Sequence, residues 1–141
     1  MKANHKDAVL SYTLVITGAP YTSQAPQTAL AFAEALVAAG HHIDRVFLYG
    51  DGVQLASALI TPPSDEVNWT RHWCDFLQQH QVPAAACIAS ALRRGVLDKK
   101  EQERYGMASH NLVQPFVIAG LGEWVEATGQ SDRLIHFNGS V

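Results

Sequence analysis

Pro83-Ala-Ala-Ala-Cys87-Ile-Ala-Ser-Ala-Leu-Arg-Arg-Gly95 carries a strand and a helix with a cysteine at their junction. The apolar run Ala84 to Ala86 predicts a buried strand ending at Cys87, and Ala89 to Arg94 predicts a helix that stops at Gly95. At such a junction, unpaired backbone N–H groups and the positive end of a helix dipole face the sulfur. Both favour thiolate over thiol, and the thiolate is the reactive form. The competing reading is that Cys87 is a small buried hydrophobe, a common fate of free cysteine.

The flanking segments set the context. Leu10 to Thr17 is rich in β-branched and aromatic residues and predicts a first strand, broken by Gly18-Ala-Pro20. Pro26 suits the first turn of a helix whose face is Leu30, Ala33, Leu36 and Val37, ending at Gly40. Ile43 to Tyr49 is a second strand with the nearly unbroken apolar run of a strand covered on both faces. Gly50-Asp-Gly52 turns the chain, and Ser64 or Asp65 is the expected N-cap of the next helix. Its apolar stripe is Trp69, Trp73, Phe76, Leu77 and His80, at offsets of 4, 7, 8 and 11. Core packing against a sheet explains that stripe better than a ligand platform does. Cys74 lies roughly 100° from the stripe's centre by helical geometry, which predicts a half-buried spectator.

Beyond Gly95, Asp98 to Arg104 alternates in sign and predicts a solvated helix. Pro115 to Ala119 is a fourth strand, Leu121 to Thr128 a helix, and Arg133 to Phe137 a last strand. No internal repeat or low-complexity segment interrupts the series. Strands alternating with helices predict one α/β domain, residues 10–141. It has about five mainly parallel strands with helices on both faces, a three-layer arrangement. Residues 1–9 read as a short flexible arm without the apolar core of a signal peptide. In parallel sheets the working residues lie beyond the carboxyl ends of the strands, and Cys87 is at one of those ends.

Bulk properties exclude several function classes. The 141 residues carry a net charge of −3 and are 48% hydrophobic. That charge and the pI near 6.1 argue against nucleic-acid binding by a clustered basic surface, and a mean hydropathy of −0.02 is ordinary for a globular domain. The longest apolar runs are far shorter than the roughly 20 residues of a membrane helix. Two cysteines, Cys74 and Cys87, make no disulfide framework and fit a reducing cytoplasm.

Other motifs are weak. Gly120-Leu-Gly122 follows a strand as a dinucleotide loop would, but Val125 occupies the third glycine position. Seven histidines include no pair at a helical offset of four, and there is no Cys-x-x-Cys, so no metal site is expected short of a composite of Cys87 with distant histidines. No Gly-x-Ser-x-Gly elbow is present. Arg93 and Arg94 have two readings: favourable charges at a helix carboxyl end, or a guanidinium folded back onto an anionic sulfur.

The segment from Cys87 to Asp98 resembles the active-cysteine segment of the TusD/DsrE sulfurtransferases. The resemblance continues through Gly18-Ala-Pro-Tyr21, Gly40-His-His, Val46-Phe-Leu-Tyr49, Asp51-Gly-Val53, Thr61-Pro-Pro-Ser-Asp65, Ala108-Ser-His-Asn-Leu112 and Ala119-Gly-Leu-Gly122. It covers Leu10 to Phe137 in order, and Ala91-Leu-Arg-Arg and Ala108-Ser-His-Asn-Leu are closer to the TusD branch. It implies a flavodoxin-like fold and a catalytic Cys87 that carries persulfide sulfur. It also implies assembly with TusB-like and TusC-like subunits as a heterohexamer. The relay would run from a TusA-like donor to a TusE-like acceptor, toward 2-thiolation of the tRNA wobble uridine. DsrE-type sulfur oxidation is the neighbouring alternative. Two further readings stand beside it. One is a structural subunit, which the presence of Cys87 disfavours. The other is a ligand-binding flavodoxin-like module, which a bound flavin or nucleotide absorbance would reveal.

Overall fold

Side chains alternate across a strand, so each buried strand feeds two cores at once. In a computed structural model that describes residues 8–139, five strands do this: β1 (Ser11–Ile16), β2 (His42–Leu48), β3 (Ala84–Cys87), β4 (Phe116–Ala119) and β5 (Arg133–Phe137). They form one sheet in the order β4-β3-β2-β1-β5, and every neighbouring pair is parallel. The helices are α1 (Ala25–Ala38), α2 (Trp69–His80), α3 (Ile88–Arg93), α4 (Lys99–Tyr105) and α5 (Leu121–Thr128), with a 3₁₀ helix at Gly50–Ala56. The architecture is the α/β sheet with helices that the strand–helix alternation predicts. The 1–9 arm lies almost wholly outside the described residues.

The two faces are unequal. Leu14, Ile16, Val46, Leu48, Ala84 and Ala86 point into the larger core, which Leu30, Ala33 and Leu36 of α1 and Trp73, Phe76 and Leu77 of α2 fill from above. The alternate residues Val15, Phe47 and Cys87 face the other way, where Trp124 of α5 packs on them. Trp73 is fully buried, and its indole N–H donates to the Pro26 carbonyl at 2.9 Å. That bond ties α2 to the first turn of α1.

Three local expectations are corrected. The N-cap of α2 is Asn68, whose side chain accepts from the Arg71 N–H at 3.0 Å, not Ser64 or Asp65. The Tyr21 hydroxyl, bonded to the Val67 carbonyl and the Trp69 N–H, pins the start there. Trp69 is only partly buried at the edge of the core, whereas Cys74 is 8% exposed and belongs to it. The face of α2 is wider than its apolar stripe because α1 and the 3₁₀ helix both meet it, the latter through the Thr70 hydroxyl, which donates to the Leu55 carbonyl at 2.7 Å. In α4, capped by Asp98, Glu101 is 3% exposed, with Arg104 Nε 3.7 Å away. That helix is therefore not solvated all round.

Gly52 is required by close approach: a Cβ there would strike the Ile16 carbonyl oxygen at the end of β1. Gly95 closes α3 at φ +73°, which glycine adopts without strain. Among the described residues, no helix is long and apolar enough to cross a membrane.

Candidate active site

Cys87 is the last residue of β3 and the N-cap of α3. Its partner across the β3–β4 ladder is Ala119, so the sulfur stands at the carboxyl edge of the sheet. The strand forms because four small residues fit between flanking strands, and it ends where the backbone turns into α3. The thiol makes no capping hydrogen bond. It is 3% exposed in a cluster with Val15 and Phe47, against which Ala85, Ala119 and Trp124 pack. Trp124 stacks on Phe47 with ring centroids 5.2 Å apart and planes 21° from parallel.

A second set of contacts holds α3 to the 3₁₀ helix that follows β2. The buried Ser90 hydroxyl accepts from the Gly50 N–H at 3.0 Å. Arg94 donates from Nε to Asp51 Oδ1 at 2.8 Å and from Nη1 to the Ser90 carbonyl at 3.1 Å. Arg94 is thus engaged with a carboxylate and with a carbonyl of its own helix, while Arg93 is exposed. The structural reading of this arginine pair fits that geometry, and no hydrogen bond joins either guanidinium to the sulfur.

Cys74 lies in α2, within the core on the opposite face of the sheet. Burial, and then the neighbouring Asp75 charge, push its thiol up to about 11. At neutral pH it is a thiol, and a poor nucleophile.

Among the described residues, no group of three histidine, cysteine or acidic side chains could hold a metal ion. Three histidines make separate hydrogen bonds: His41 accepts from the Leu10 N–H, His136 pairs with Thr17, and His110 with Gln102. Gly120 caps α5 as a strand-to-helix turn.

The sequence marks Cys87 as a strand-end cysteine but not Trp124 in its cluster, nor the links of Ser90 and Asp51 that hold the helix after it. Ser90, three residues after Cys87, was the one with a local signal. Asp51 and Trp124 come from distant segments.

The sequence profile of the DsrE/DsrF-like family matches residues 10–137. The chain is 45% identical over 128 residues to "Sulfurtransferase TusD" of Erwinia tasmaniensis, covering 91% of this chain and all of that one. It is 43% identical over 128 residues to the "Sulfurtransferase TusD homolog" of Vibrio cholerae, covering 91% and 98%. To "Sulfurtransferase TusD" of Serratia proteamaculans it is 42% identical over 129 residues, covering 92% and 100%. The crystal structure of the ychN protein from E. coli superposes with a TM-score of 0.70 at 23% identity, covering 92% of this chain and all of that one. That likeness bears on the fold.

Proposed function

The chain belongs to the DsrE/DsrF-like family, and on that premise we propose that it is a sulfurtransferase of the TusD type that carries sulfane sulfur on Cys87. The relatives named as sulfurtransferases, which match nearly end to end, support the activity. The observation that carries the residue assignment is the place of Cys87 at the carboxyl edge of the parallel sheet, where α/β folds site their chemistry. The other cysteine lies in the opposite core with its thiol pushed up.

The chemistry is exchange between sulfurs. The Cys87 thiolate attacks the terminal sulfur of a donor persulfide, the new S–S bond forms, and the donor leaves as its thiolate. An acceptor thiolate then attacks the outer sulfur of the Cys87 persulfide, and Cys87 leaves as thiolate. Each step breaks one S–S or S–SH linkage and makes another, with no net oxidation and no metal or organic cofactor. In the fuller reading the donor is TusA-like and the acceptor TusE-like, with TusB-like and TusC-like chains as fellow subunits. The relay is then cytoplasmic and ends in 2-thiolation of the tRNA wobble uridine.

The structural-subunit reading draws support from one fact, the 3% exposure of Cys87. Intact mass after incubation with a persulfide donor separates the two. The transfer reading expects a gain of about 32 Da, one sulfur atom, reversed by reductant, retained in Cys74→Ser and lost in Cys87→Ser. Loading that persists in Cys87→Ser, or that sits on Cys74, overturns it.

A further inference from the structure

A sulfur that exchanges with another thiol must be reached, yet Cys87 is 3% exposed. The element over its cluster is α5, and the hold of α5 on the sheet is slight. Of its eight residues only Ala127 is buried, while Leu121 and Val125 are 47% and 56% exposed. Trp124 supplies the remaining attachment through its stack on Phe47.

Two cavities flank that ring. One of about 330 Å³ opens over β2 to β4 and is lined by Phe47, Ala85, Ala119 and Trp124. The other, about 340 Å³, opens over β1 and β5 beside Val15, Leu134 and His136, again with Trp124 in its wall. The ring therefore has space to move into on both sides. Its Nε1–H is buried and has no acceptor, an uncompensated desolvation that weakens the closed position. Gly120, the N-cap that joins β4 to α5, carries no side chain and would have open space at its Cβ position, so nothing packed on that residue holds the junction in place.

We propose that Trp124 is a gate over the Cys87 cluster: α5 pivots at Gly120, the ring leaves Phe47, and the sulfur becomes reachable. The closed position shields a loaded persulfide between transfers, since a covered outer sulfur meets neither water nor stray thiols. This rests on reading Cys87 as the sulfur-bearing residue, and Trp124 acts by controlling access without touching the reacting atoms by necessity.

The test is the native alkylation rate of each cysteine in the full chain, followed by peptide mapping after iodoacetamide. Trp124→Ala raises the Cys87 rate by about tenfold or more, as expected when a local closing contact is lost, and leaves Cys74 unchanged. Trp124→Phe keeps the stack and removes the unpartnered N–H, so its Cys87 rate equals the native one or falls below it. A Cys87 rate in Trp124→Ala within about twofold of native, or a parallel rise at Cys74 that marks general loosening, overturns the gate. Sulfur loading is scored separately. Sulfur loading on Cys87 without the rise in alkylation in Trp124→Ala leaves the transfer reading standing and overturns the gate, whereas gated alkylation without loading sustains the gate and removes the transfer reading.

Discussion

Arg94 Nε lies 2.8 Å from Asp51 Oδ1, joining the end of the helix that begins at Cys87 to the turn that leaves β2. The pair is open to solvent on both sides, with side chains 27% and 64% exposed. Beside it, the buried Ser90 hydroxyl accepts from the partly buried Gly50 N–H.

These two links differ in strength for a physical reason. A solvated ion pair contributes about 0–1 kcal/mol, whereas an N–H left without its acceptor in a buried site costs about 1–3 kcal/mol. Ser90→Ala is therefore expected to lower stability in urea titrations more than Asp51→Ala does. The reverse order would mean that the ion pair, and not the hydroxyl, anchors α3.

Trp73 fills the space between α1, α2 and the sheet, while Trp69 sits at the margin of that core. Trp73→Ala should cost about 3–5 kcal/mol, from lost burial and the cavity left behind. Trp69→Ala should cost clearly less. Urea unfolding of the two variants, read by circular dichroism, checks the ranking, and equal losses would refute it.

Cys74 gives the protein an alkaline sensitivity. Its folded thiol is raised from 9.0 to about 11, so between those values the unfolded chain has released a proton that the folded chain keeps. Stability therefore falls as pH rises through that window, by something on the order of 1–3 kcal/mol, and is unaffected below about pH 8. Urea midpoints of the native chain and Cys74→Ala, measured in reductant at pH 8 and pH 10, should show a steeper fall for the native chain. Parallel losses would show that other groups are responsible.

Assembly with related chains is open to direct measurement. Val117 of β4 and Leu121 and Val125 of α5 are 56%, 47% and 56% exposed, apolar side chains left open to solvent. Co-expression with TusB-like and TusC-like chains should yield a complex that elutes together on size exclusion. A chain that remains monomeric beside both would count against the hetero-oligomer.

Much of this protein was legible in its sequence because the signals are local. β-branched runs mark β1 and β2, four small residues ending at Cys87 mark β3, and the offsets of Trp73, Phe76 and Leu77 mark the buried side of α2. Each pattern reports how an element must face a core, so the parallel α/β class and the strand-end cysteine both follow. The α2 cap was misplaced because Ser64 and Asp65 are as competent as Asn68 by residue type. Only the Tyr21 contacts from another segment select between them.

Tertiary structure alone decided the rest. Adding β5 beside β1 instead of beside β4 carries the chain across the thinner face, and that crossing lays α5 over Phe47 and Cys87. Periodicity states which side of a helix is apolar but not which strand it will meet. It therefore marks neither the stack of Trp124 on Phe47, nor the pairing of Arg94 with Asp51, nor the burial of Glu101 and Cys74. Those depend on where separate segments converge, and it is convergence that turns a cysteine at a strand end into a covered site.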